Sequence, residues 1–118
     1  ILARALKNKI EQQNAQHIQE EDSVAVINFL AWLEQSRSVE RITELKAAEY
    51  LITQRQRLKN FQGESFPTIS AFGDHAAIVH YHPDHQTDAV LKEGSLCLID
   101  SGGQYLEGAT DTTRTIAI

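Results

Sequence analysis

Near Gly63 the chain changes its grammar, and that change limits the fold more than any other feature of the sequence. Upstream, Ile10, Ile18, Ala25, Phe29, Trp32 and Leu33 recur at roughly helical spacing, and Asn8 followed three residues later by Glu11 reads as a capping pair. Ser36 to Ser38 loosen this first helix. A second is expected from Thr43 as N-cap, with Glu44 in its first turn. Leu45, Ala48, Leu51 or Ile52, Arg55 and Leu58 then share a face up to about Asn60. Gly63 and Pro67 stop the pattern. Downstream, Phe66–Phe72, Ala76–Tyr81, Leu96–Asp100 and Thr110–Ile118 are short segments rich in Ile, Val, Thr and aromatics, separated by Gly, Pro, Asp and His clusters. Gly94 reads as a turn, and Glu107-Gly108 as a hairpin tip. Helices over 1–62 followed by strands over 63–118 predict an α+β unit, two helices packed on one antiparallel sheet.

Composition excludes several classes. Hydrophobic residues make up 42% of the chain, enough for a core, so an intrinsically disordered segment is ruled out. The longest nearly apolar stretch, Val24 to Leu33, is too short to span a membrane and is interrupted by Asn28. Cys97 is the only cysteine, so no internal disulfide can form, and a reducing cytoplasmic setting is expected. Charge is uneven. Residues 1–60 hold nine Lys/Arg and eight Asp/Glu, whereas residues 61–118 hold two and eight. That acidic second half argues against a nucleic-acid groove and is compatible with binding a cation or an amine, or with a solvated acidic surface. Opening on Ile1 and stopping at Ile118 within an apolar run, the chain is expected to be a piece of something longer.

Two groups of residues can do chemistry. One is the pair Asp100, in Leu98-Ile99-Asp100-Ser101-Gly102-Gly103, and Asp111, in Thr110-Asp111-Thr112-Thr113-Arg114-Thr115. A hairpin can bring them together. With its turn centred on Glu107, however, Asp111 falls opposite Gly103 and on the other face from Asp100, so a bulge at Ser101-Gly102-Gly103 is expected to restore the parity. Two adjacent carboxylates repel at neutral pH, and a divalent metal removes that conflict. An Asx turn at Asp100 and a surface acid at Asp111 explain the same residues without a site.

The other group is His80-Tyr81-His82-Pro83-Asp84-His85, which fits the H-x-H-x-D-H zinc pattern of the metallo-β-lactamase superfamily. In that superfamily an Asp-Gly strand end precedes the histidines. Here Leu-Ile-Asp-Ser-Gly follows them. Solvated loop histidines are the ordinary alternative.

Four blocks in order, Ser65-Phe66-Pro67-Thr68-Ile69-Ser70, Ala77-Ile78-Val79-His80-Tyr81, Leu98 through Tyr105, and Thr110 through Thr115, resemble Xaa-Pro aminopeptidase (aminopeptidase P) of the pita-bread metallopeptidases. Lys7-Asn8 and Phe29-Leu30-Ala31-Trp32-Leu33-Glu34 extend the likeness over nearly the whole chain. The resemblance implies the N-terminal half of a pita-bread fold, a partial catalytic domain over 1–118. It also implies two divalent ions, with Mn²⁺ expected, sharing a hydroxide that attacks the carbonyl before a prolyl nitrogen. Asp100 matches a carboxylate ligand of one ion, Asp111 the ligand bridging both, and His80 the histidine contacting substrate near the scissile bond. Thr113 and Arg114 fall where support for Asp111 is expected. The resemblance implies three further ligands, a histidine and two glutamates, beyond residue 118. The 118 residues alone are therefore expected to be inactive, with Leu96, Leu98 and Ile116 exposed on a sheet face meant for the missing half. The implied substrate is a peptide with proline at the second position, and a homodimer is expected at full length. A non-catalytic pita-bread binding module, and a zinc hydrolase using His80, His82 and His85, stand as alternatives.

Overall fold

Asn8 and Glu11 each cap the other: the Asn8 amide donates to the Glu11 carboxylate (2.9 Å) and the Glu11 amide to Asn8 Oδ1 (2.8 Å). They open a 28-residue helix. The computed structural model describes residues 1–118, and a short helix α1 (Leu2–Ala5) precedes this long helix α2 (Lys9–Ser36). Ile18, Asp22, Ala25, Phe29 and Leu33 form its buried stripe, stepping by three or four residues as a helix seated on a sheet must. Nothing before Ile18 is buried, so Ile10 is exposed rather than part of the stripe. Thr43 caps α3 (Glu44–Gln56) by accepting from the Lys46 amide, and Trp32 of α2 stacks on Tyr50 of α3 at 3.9 Å.

The strands are β1 (Phe61–Glu64), β2 (Ile69–Phe72), β3 (Leu96–Ser101), β4 (Gly103–Tyr105) and β5 (Thr112–Ala117). All pairing is antiparallel: β2-β3-β5 forms one sheet and β1-β4 a second. β1 straddles the boundary expected between the helices of 1–62 and the strands of 63–118, and no strand was expected there, since four residues containing Gln62, Gly63 and Glu64 carry no apolar alternation. The strand expected over Phe66–Phe72 begins only at Ile69, after Pro67.

No strand forms over Ala76–Tyr81. A 3-10 turn over Gly73–Ala77 and an irregular loop take its place, because Gly73 (φ 59°) and His80 (φ 58°) adopt left-handed backbone that no strand accommodates. Two turn hydrogen bonds, Ile78 N–H to His75 and Tyr81 N–H to Ile78, fold the segment back.

β3 continues through Gly102 into β4, changing partners on the way. A side chain at Gly102 would occupy the space of the Thr110 carbonyl and Ser65 Oγ, so only glycine lets the strands cross there. α2 and α3 pack on one sheet face, burying Phe29, Leu33, Ile42, Ala47, Leu51, Leu91, Cys97 and Ile99. Each fully buried large apolar side chain contributes roughly 1.5–3 kcal/mol. Ile116 pairs with Cys97 and packs against this core, so it does not join Leu96 and Leu98 on the outer face.

Candidate metal centre

The hairpin register decides which way the two aspartates point. Thr112 pairs with Ser101 and Ala109 with Gln104, one unbroken register on both sides of Asp111, which therefore stands opposite Gly102. Gly102 is two residues from Asp100, so both carboxylates rise from the same outer face. The expected bulge in β3 is not needed. The tip closes around Leu106-Glu107, through Tyr105 N–H to Gly108 (2.8 Å) and Gly108 N–H to Tyr105 (3.3 Å), half a residue from the assumed centre. The irregularity lies instead in β1, between Phe61 and Gly63.

Asp100 and Asp111 line a cleft of about 300 Å³ together with His80 and His82, walled by Phe66, Pro67 and Ile69. Thr113 Oγ1 donates to Asp100 Oδ1 (2.8 Å), so its support goes to Asp100 rather than Asp111. Arg114 pairs with Ile99 on the inner face and donates to the Thr113 carbonyl (2.7 Å), placing it away from Asp111. His82, for which the family resemblance gave no counterpart and only the zinc alternative a place, joins the cleft, while His85 does not. No three His, Cys, Asp or Glu side chains lie close enough to share a metal, so the three histidines do not assemble as a zinc cluster.

The Asp111 carboxyl is pushed above its ordinary 3.8, first by partial desolvation and then by the charge and hydrogen bond of Asp100. Neither aspartate forms an ion pair with a cation of the chain. Two crowded carboxylates without a counter-ion suit a hard divalent cation in donor chemistry, though they fill only part of its coordination shell. The residues present fit a metal to that extent.

Two further polar centres went unseen in the sequence. Asp22 on α2 is bound by Arg55 on α3 through two hydrogen bonds (2.8 and 3.1 Å) and by the Tyr105 hydroxyl, all fully or nearly fully buried. Burial pushes the Asp22 carboxyl up, but Arg55 and Tyr105 more than reverse this and hold it below 3.8. Glu44, also fully buried, accepts from the Phe72 amide (2.7 Å), the Ala89 amide (2.9 Å), the Tyr81 hydroxyl (2.9 Å) and His75 Nδ1 (2.9 Å). A charged residue recurring within an apolar helical stripe, as Asp22 does between Ile18 and Ala25, was the available signal for the first centre.

The sequence model of metallopeptidase family M24 matches residues 13–118. The chain belongs to this family. Among M24 relatives, a putative Xaa-Pro aminopeptidase of Saccharomyces cerevisiae is 44% identical over 115 residues, covering 96% of the chain and 15% of that protein. A probable Xaa-Pro aminopeptidase P of Metarhizium acridum is 43% identical, covering 97% of the chain and 19% of that protein. The X-prolyl aminopeptidase of Caenorhabditis elegans, described as a cytosolic enzyme with a di-nuclear active site, superposes with a TM-score of 0.91 at 39% identity over 97% of the chain and 19% of its own. The chain thus spans less than a fifth of these M24 relatives, and its α+β architecture is that of part of their pita-bread fold.

Proposed function

We propose that the polypeptide containing this chain is a metal-dependent aminopeptidase that hydrolyses the bond between an N-terminal residue and a following proline, and that residues 1–118 are the first half of its catalytic domain. The observation that carries this reading is the meeting of Asp100, Asp111 and His80 in one outer-face cleft, in a chain more than 40% identical to Xaa-Pro aminopeptidases.

Asp100 and Asp111 would hold divalent metal, two ions with Mn²⁺ the expected species, and Thr113 would keep Asp100 in its orientation. When bound, such ions supply a deprotonated water and a Lewis acid. The chain's own groups do the rest. His80, an imidazole in the cleft lining, donates an N–H to the carbonyl oxygen as it gains negative charge, an effect of about 3 kcal/mol for a single well-placed donor. The acidic cleft receives the substrate's free α-amino group, which restricts cleavage to the first residue. Phe66, Pro67 and Ile69 offer the apolar wall that a prolyl ring packs against. A cytosolic setting and a homodimer at full length complete the reading, the first in keeping with the description of the C. elegans neighbour.

Hydrolysis of an Xaa-Pro-Xaa peptide by the complete polypeptide with Mn²⁺, set beside the 118-residue chain alone, is the test. The reading expects turnover from the first and none from the second, since two carboxylates leave a cation's shell largely open. A complete polypeptide that binds no metal and cleaves nothing would leave the non-catalytic binding module standing.

A further inference from the structure

His80 is held by a segment with no strand in it. Residues 73–89 run from the end of β2 to the start of α3's neighbourhood as a 3-10 turn and irregular loop, with no ladder pairing of their own. His80 sits there in left-handed backbone, which costs a non-glycine residue about 1–2 kcal/mol and persists only where the surroundings over-determine it. The next residue supplies the constraint. While His80 faces the aspartate cleft, Tyr81 turns inward, is nearly fully buried, and gives its hydroxyl to Glu44.

The Glu44 carboxylate meets this segment at four places along its length. It accepts from Phe72 where the segment leaves β2, from His75 within the 3-10 turn, from Tyr81 beside His80, and from Ala89 where it returns to α3. A carboxylate has about four lone-pair positions, and all are used. His75 also stacks on the Tyr81 ring at 4.5 Å, and its Nδ1, facing an acceptor-only group, carries the proton. Glu44 has no arginine or lysine partner. A buried carboxylate fully taken up by one loop is a clamp on that loop rather than a link between helices.

We propose that Glu44 is a positioning residue for His80, acting through Tyr81 and His75 to hold the 73–89 segment in the shape that turns the imidazole toward Asp100 and Asp111. The inference rests on the proposed peptidase reading for its catalytic consequence. Its structural consequence stands apart from that reading.

Glu44→Gln leaves at least one donor facing a donor and is prone to unfold the site, so Tyr81→Phe, which removes one oxygen atom, is the primary variant. In the complete Mn²⁺-loaded polypeptide, Tyr81→Phe is expected to lower kcat about ten-fold with KM and Mn²⁺ affinity unchanged, the scale set by losing one hydrogen bond to a charged group. In a His80→Ala background the same change is expected to cost nothing more. His75→Leu is expected to lower kcat likewise, and His75→Asn, whose amide nitrogen reaches the place of Nδ1, to restore most of the loss. Hydrogen exchange at residues 76–82 is expected to quicken in Tyr81→Phe and His75→Leu, with exchange in α2 unaltered. Equal losses from Tyr81→Phe with and without His80, or unchanged exchange at 76–82, would overturn the proposal. Absence of Xaa-Pro turnover in the unsubstituted polypeptide would refute the peptidase reading instead, and the exchange measurement would still judge the clamp.

Discussion

The molecule holds aspartates in two opposite conditions. Asp22, wedged between the helices and β4, has a guanidinium and a phenol for partners and no exposure to solvent. Asp100 and Asp111, on the outer face of the sheet, have one threonine hydroxyl and each other. Burial normally makes a carboxylate costly, yet here the buried one is satisfied and the open pair is in conflict. A satisfied charge fixes a fold, and an unsatisfied one is available to a ligand.

Breaking the satisfied centre should show the largest effect. Arg55→Leu strands the Asp22 charge in the core and is expected to cost about 3–5 kcal/mol, read as a fall in the urea midpoint, while Asp22→Leu combined with Arg55→Leu should cost less than Arg55→Leu alone. If the double substitution proved the worse of the two, Asp22 would not be held by Arg55 in the way described. Next come the outer carboxylates. Asp111→Asn or Asp100→Asn should leave the urea midpoint within roughly 0.5 kcal/mol of the original, as surface changes do. Loss of either should also cut Mn²⁺-dependent peptide turnover of the complete polypeptide at least ~100-fold, the upper range for removing mere support of a metal ligand. Large destabilisation by either would erase the contrast between the two centres.

Acid should sharpen the contrast, because the two centres carry opposite signs. Asp22 is held below 3.8, so its stabilising contribution is complete above that value and fades as pH falls through its lowered folded pKa. Asp111 is raised above 3.8, so ionising it opposes folding: the penalty is absent below 3.8 and grows as pH rises through its folded pKa. Stability measured against pH in the absence of metal should therefore lose an acid-side decline in Asp22→Asn and gain slightly, at pH values above the raised Asp111 pKa, in Asp111→Asn. The smallest effect is expected at His82, which shares the cleft but hydrogen-bonds only weakly to the Thr68 carbonyl (3.4 Å). His82→Ala should alter turnover far less than His80→Ala, and loss of metal binding in His82→Ala would revive the zinc alternative.

The long helix, the Thr43 cap and three of the strands were legible because their cues are local: a capping box, an apolar stripe, a run of β-branched residues between glycines. The apolar segment Ala76–Tyr81 carried the same composition as a strand and is none, since His80 takes left-handed backbone and a buried glutamate 37 residues away takes the Tyr81 hydroxyl. β1 failed the opposite way, being polar in sequence and paired only because β4 arrives beside it.

Order of elements and the family likeness were written in the sequence, because spacing along the chain and four ordered motif blocks suffice for them, and that likeness is what singled out Asp100, Asp111 and His80 as candidates. Where the hairpin turns was settled by the Tyr105–Gly108 hydrogen bonds, which residue type alone does not announce, and that Asp22 and Glu44 are anchors rather than surface acids depends on contacts between residues far apart in the chain, such as Asp22 with Arg55 and Tyr105. Strand parity flips with a shift of a single residue, so only the folded hairpin register, which the sequence left open, aimed both outer carboxylates into one cleft.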